Sequence, residues 1–266
     1  MTPRSEASCG RERCRASRAR RSRSASTHRF SVGPSMGPPL SSLLSTRSVA
    51  TRTPAPDRIA QQGRAGRDRA NLHTRRKRAG FPTGKTFGDW HETKSSIPRA
   101  TQDALKSLEW VGRRENFCIC GPSGTGKSHF TEALGQTAVE AGLTVAWFTI
   151  EDLGALVRRH RADDSIARAL AKIVRSDLII VDDIGLLPVS EDAAEGFYRL
   201  VDAAYERRSI AVSSNLHPSG FDEIMPKTLA TATVDRLLHH AHVTVTQGDS
   251  FRFAEATTGK GVKPFN

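Results

Sequence analysis

The sequence predicts an α/β fold in which a parallel sheet is covered by helices on both faces. Three observations carry this. From about Ser96 onward, short apolar runs alternate with stretches of helical spacing. A glycine-rich octapeptide, Gly121-Pro122-Ser123-Gly124-Thr125-Gly126-Lys127-Ser128, stands between one such run and one such helix. The apolar run Leu178-Ile179-Ile180-Val181 ends in two acids, Asp182 and Asp183.

The elements follow in order. Residues 99–111 have the spacing of a helix. Phe117-Cys118-Ile119-Cys120 is a short buried strand, ended by Gly121-Pro122. Residues 127–141 place Phe130, Leu134 and Ala138 on one helical face. A second strand covers 144–150, and two helices cover 151–161 and 165–174. Then come a strand at 178–181, a helix at 193–206, a strand at 209–213 and a helix at 230–240. Val243-Thr244-Val245-Thr246 closes the core. Strands separated by helices connect in parallel and are covered on both faces.

Charge is unevenly placed. The 266 residues carry a net +12. Residues 1–60 hold 12 Arg against 3 acids (+9), and residues 61–80 hold 7 basic residues against Asp68 (+6), which leaves −3 for 81–266. Residues 1–60 mix Arg, Ser, Thr, Pro and Gly around one small apolar patch, Leu40, Leu43 and Leu44. Such a segment buries too little apolar surface to offset its ordering entropy, so a disordered basic extension is expected. Its charge could meet nucleic-acid phosphates or simply be solvated. Residues 61–95 read as a basic helix end, with Arg75-Arg76-Lys77-Arg78, followed by a linker. Residues 96–255 read as the globular domain and 256–266 as a flexible tail.

Cys118 and Cys120 lie two apart on one strand face and cannot bridge each other, while Cys9 and Cys14 lack a second pair at zinc-ligand spacing. Four reduced thiols fit a cytoplasmic protein. No run approaches the roughly 18 apolar residues of a membrane span, so no membrane partner is expected.

The octapeptide matches the P-loop pattern G-x-x-x-x-G-K-[ST], in its required setting between strand and helix. Its glycines let backbone N–H groups surround phosphate oxygens, and the following helix presents its positive end to the same anion. Lys127 is placed to reach the β- and γ-phosphates of ATP, and the Ser128 hydroxyl to ligate Mg²⁺. Asp182 follows Lys127 by 55 residues and ends a strand where α/β sheets bind ligands. It would hold Mg²⁺, and Asp183 would orient the attacking water. The plain alternative for both is a capped strand before a turn.

Asn215, in Ser213-Ser214-Asn215, is either a contact to the γ-phosphate or the attacking water, or a turn residue. Arg236 is either a phosphate-directed guanidinium supplied to a neighbouring subunit or half of a surface ion pair. Arg158, Arg159 and Arg161 are either a DNA-facing patch or charge that complements a helix C-terminus. His239, His240 and His242 could suggest a metal, but no Cys or acid completes a recognisable set, and they read as helix-surface histidines.

Together these motifs resemble the IstB-type helper ATPases of bacterial insertion sequences, AAA+ proteins close to the DnaC helicase loaders and the initiator DnaA. The series GPSGTGKSHF…ALG…AVEAG, LIIVDDIGLLP, YERRS…SSNL and DRLLHHAHV carries the resemblance from about Gly63 to Glu255. It implies a five-stranded sheet of order 5-1-4-3-2, ATP-dependent assembly as a homo-oligomer on duplex DNA, and activation of a transposase of the same element. Lys127 and Ser128 match the Walker A pair, Asp182 the Walker B metal acid, Asn215 sensor 1, and Arg236 the arginine of the late helix. The helices before Asp182 match an insertion that faces DNA, which favours a DNA role for Arg158, Arg159 and Arg161.

Two departures stand out. The family often has Glu where Asp183 stands, so slow turnover is expected. Members also begin with a small helical domain that residues 1–60 do not resemble; a misassigned start or a degraded element would account for it. The competing expectations are a replicative helicase loader, which would bind a hexameric helicase, a P-loop small-molecule kinase, and a non-hydrolysing remnant.

Overall fold

Side chains alternate along the central strands and sort the core into two layers. The computed structural model describes residues 56–257, with side chains over 68–254. Strands β1 (Asn116–Cys120), β2 (Val145–Thr149), β3 (Leu178–Ile184), β4 (Ser209–Ser214) and β5 (Ala241–Val245) are parallel and lie in the order β2-β3-β4-β1-β5. Read from the opposite edge, this is the expected order 5-1-4-3-2.

Phe117, Ile119, Leu178, Ile180 and Ala211 face one layer, with Phe130, Leu134, Trp110 and Trp147. Cys118, Ile179, Val181, Ile210 and Val212 face the other, with Leu153, Phe197, Leu200 and Leu237. The first layer is built on α2 (Arg99–Lys106), α3 (Glu109–Gly112) and α4 (Lys127–Glu140). The second is built on α5 (Ile150–His160), α6 (Ile166–Ile173), α7 (Glu191–Ala204) and α8 (Lys227–Leu238). Among the described residues, no helix is long and apolar enough to cross a membrane.

Three elements differ from the sequence reading. The helix expected over 99–111 is broken, because Leu108 adopts φ +59° and α3 restarts after it. The break lets Trp110 sink to 1% exposure, where its Nε1 donates to Leu105 O at 3.0 Å. The acids read as following strand 178–181 lie within β3, which bulges between Val181 and Ile184. The basic helix end is part of a 24-residue helix, α1 (Pro56–Ala79), that crosses residue 60 and packs against α4 and β2. Buried Ala79 and partly buried Leu72 anchor it, and Arg76 pairs with Glu140 at 2.5 Å.

The stretch after α1 is fastened to α4. Glu132, 2% exposed, accepts from Thr83 N at 3.1 Å, Thr83 Oγ1 at 2.5 Å and Gly84 N at 2.5 Å. Two 3-10 turns follow, Phe87–Asp89 and Glu92–Lys94. Trp90 then donates to Gln102 Oε1 at 2.8 Å. The expectations for the N-terminal extension, for the tail 256–266 and for Cys9 and Cys14 fall outside the described residues, save that 56–60 and 256–257 are helical.

Candidate nucleotide site

β1 delivers the chain to Gly121, and α4 begins at Lys127. Between them, Gly121, Gly124 and Gly126 take φ of +143°, +85° and +88°, which side-chain-bearing residues rarely adopt. A Cβ would also collide with Thr246 at Gly121, with Ser250 at Gly124 and with the Trp90 ring at Gly126. The loop is braced from the chain's end. Thr125 Oγ1 lies 2.7 Å from Thr246 Oγ1, and Phe251 N donates to Gly124 O at 3.0 Å.

The N–H groups of Gly124, Gly126, Lys127 and Ser128 have no acceptor among the described residues, while Thr125 closes a turn on Pro122. They sit at the positive end of a 14-residue helix. A row of unpaired donors around a lysine fits a phosphate chain. Lys127 is 7% exposed and rests its Nζ on Pro122 O at 2.7 Å. Burial pulls its pKa down, and the carboxylates of Asp182 and Asp183 oppose this.

Asp182 ties the two motifs together. Its Oδ1 accepts from Ser128 Oγ at 3.0 Å and from Ser213 Oγ. Burial raises its pKa, and these two hydroxyls, by bonding the ionised form, pull it back. A hydroxyl beside a largely buried carboxylate is a donor set suited to Mg²⁺. Asp183 is exposed at φ +66° in the β3 bulge, and its N–H approaches Ser213 Oγ at 3.4 Å.

Asn215 follows β4 and donates its N–H to Ile184 O at 2.7 Å. That places it beside the acids, and its side chain has no hydrogen bond among the described residues. Arg236 lies elsewhere. The neighbouring Leu237 O accepts from Asn116, the first residue of β1, so Arg236 stands at the amino edge of the sheet, opposite the P-loop. It pairs with Asp202 on α7 at 3.0 Å, not with the adjacent Asp235. Arg158 and Arg161 both reach Asp192, and Arg161 also reaches Glu195 at 3.3 Å. Arg159 is exposed and pairs with no acid among the described residues.

The sequence reading missed Ser213 as a partner of Asp182, although it stood beside the acid-bearing strand in Ser213-Ser214-Asn215. It also missed Trp90, which was assigned to the linker. Its ring lies 5.2 Å from that of His129 and against Gly126.

The family described as IstB-like ATP binding protein matches residues 46–258, a span that begins upstream of Gly63 and includes all of α1. A Pseudomonas aeruginosa protein named for insertion sequence IS21 and for ATP binding is 34% identical over 197 residues, 73% of this chain and 74% of its own. A Bacillus thuringiensis subsp. berliner protein named for IS232 and ATP binding is 31% identical over 192 residues, 71% and 76% of the two chains. Among solved structures, DnaA bound to AMPPCP and single-stranded DNA superposes with a TM-score of 0.53 at 21% identity, over 67% of this chain and 55% of that one. AMPPCP-bound DnaA from Aquifex aeolicus also gives 0.53 at 21%, over 70% and 58%. The chain thus spans little more than half of these structures, and at that identity they establish the AAA+ fold alone. By the span of the match and by the motifs it contains, the chain belongs to the IstB-like ATP-binding protein family.

Proposed function

We propose that this protein is a cytoplasmic, DNA-dependent ATPase that assembles as a homo-oligomer on duplex DNA and assists the transposase of an insertion sequence. The observation that carries the ATPase part is the bond of Ser128 to Asp182, 3.0 Å, beside the P-loop. When bound, Mg²⁺–ATP would supply the transferable phosphoryl group and the charge that offsets it. Lys127 and the N–H groups of Gly124, Gly126 and Ser128 hold the phosphates. Ser128 and Asp182 hold the metal, and the Ser213 hydroxyl favours the ionised form of Asp182 against its burial. Asp183 orients water and accepts its proton, and Asn215 positions the same water. Aspartate is one methylene shorter than glutamate, which makes the step slow. Arg236, remote from its own P-loop, serves the site of a neighbour. Arg158, Arg159 and Arg161 meet DNA phosphates. The transposase role rests on the relatives named for insertion sequences.

The test is ATP hydrolysis by the full chain with and without duplex DNA, beside Lys127→Ala, followed by capture with the element's transposase and with a replicative helicase. DNA-stimulated turnover that disappears in Lys127→Ala, together with capture of the transposase, is expected. Tight ATP binding without turnover would replace the ATPase with a non-hydrolysing remnant. Capture of the helicase alone would make the chain a loader.

A further inference from the structure

At the amino edge of the sheet, away from the P-loop, three metal-ligating side chains converge. Glu206 follows α7, and His239 and His240 follow α8. One donor atom from each lies within 4.8 Å of the other two, and all three residues are exposed. No other such set occurs among the described residues. We propose that Glu206, His239 and His240 form a binding site for a transition-metal ion, Zn²⁺, distinct from the Mg²⁺ position at Ser128 and Asp182.

The surroundings support it. Tyr205 OH meets His239 Nδ1 at 2.9 Å, which holds that ring by one nitrogen and leaves Nε2 free for an ion. The His239 and His240 rings lie with centroids 4.0 Å apart, tilted by 51°. Glu206 takes φ +55°, and its carbonyl accepts from Arg114 Nη1 at 3.3 Å, which ties the backbone that presents the carboxylate to the segment before β1. Ligands about 2.1 Å from one tetrahedral ion stand about 3.4 Å apart, so rotation of exposed side chains closes the set. Two imidazoles and one carboxylate suit zinc, whereas magnesium prefers oxygen donors throughout. Three protein ligands leave a fourth position for water or a donor from another molecule.

Such an ion joins the turn after α7 to the turn after α8. Asp202 and Arg236 lie on those same two helices and pair at 3.0 Å. The site therefore braces the base of the arginine proposed to reach a neighbouring subunit, but it requires neither ATP nor DNA to fill.

The experiment uses the full chain without an added histidine tag, stripped with a chelator and titrated with Zn²⁺ alone against a chromophoric competitor. We expect one equivalent bound at micromolar concentration, weakened at least about tenfold by Glu206→Gln and lost in His239→Gln/His240→Gln. Zn²⁺ should raise the melting temperature of the unmodified chain and not that of the double variant. Co²⁺ at the site should give visible bands of nitrogen and oxygen coordination. Unchanged Zn²⁺ affinity in the variants, thiolate bands with Co²⁺, or no binding at micromolar Zn²⁺ would each overturn the assignment. If the double variant fails to fold, Glu206→Gln and the Co²⁺ spectrum of the unmodified chain still decide.

Discussion

Ser128 donates its hydroxyl to Asp182 Oδ1 at 3.0 Å, joining two motifs that lie 54 residues apart in the chain. The bond pre-assembles the pair proposed to hold Mg²⁺, and Ser213 reinforces it from the neighbouring strand.

Asp182 therefore costs stability while serving the site. Its pKa is raised by burial, so the folded state binds its proton more tightly than the unfolded state does. Stability from this group is present at low pH and falls as pH rises from the ordinary value near 3.8 through the raised one. Asp182→Asn removes the buried charge. It should raise the neutral-pH stability of the nucleotide-free protein by about 1 kcal/mol while abolishing Mg²⁺-dependent hydrolysis. Denaturant melts at pH 4 and pH 7 check the first part, and a drop in neutral-pH stability would contradict it.

Arg236 should act across subunits. Arg236→Ala breaks a partly exposed pair with Asp202 and should cost about 1 kcal/mol of stability or less. ATP binding should persist, and DNA-stimulated hydrolysis should fall by about 10³-fold or more if the residue is an arginine finger. Mixing Arg236→Ala with Lys127→Ala subunits should restore part of the activity, because each supplies what the other lacks. Mixtures as inactive as either variant would remove Arg236 from this role.

The three arginines at the end of α5 should separate. Arg161 is engaged by Asp192 and Glu195, Arg158 by Asp192, and Arg159 by no acid among the described residues. Arg159→Ala should weaken duplex binding with no change in melting temperature. Reversing all three charges should also flatten the salt dependence of binding, by up to about one unit of slope per lost phosphate contact. An unaltered salt slope would show that this face does not meet DNA.

Glu132→Gln should release the segment that leads to Trp90. The substitution removes a carboxylate that accepts three hydrogen bonds and replaces one acceptor with a donor facing donors. A loss of about 2 kcal/mol is expected, with faster proteolysis near Phe81–Thr86. ATP affinity should weaken as the Trp90 ring loosens from Gly126. Stability equal to the unmodified chain would mean the three bonds form only in part.

Local chemistry made much of this protein legible in its sequence. Glycines that need positive φ, a lysine at the start of a helix and acids at the end of an apolar strand are short-range patterns, and their spacing survives folding. The same holds for the alternation of strands and helices that determined the parallel sheet. What only the tertiary structure decided depends on residues distant in sequence meeting in space. The break at Leu108 follows from where Trp110 must be buried. The place of α1 follows from the docking of Leu72 and Ala79, which a basic composition hides. Ser213 meets Asp182 only because β4 pairs with β3. Arg236 is separated from its own P-loop because α8 leads into the amino edge of β5. Glu206 approaches His239 and His240 because two turns share that edge of the sheet, a proximity that 33 residues of separation hide from the sequence.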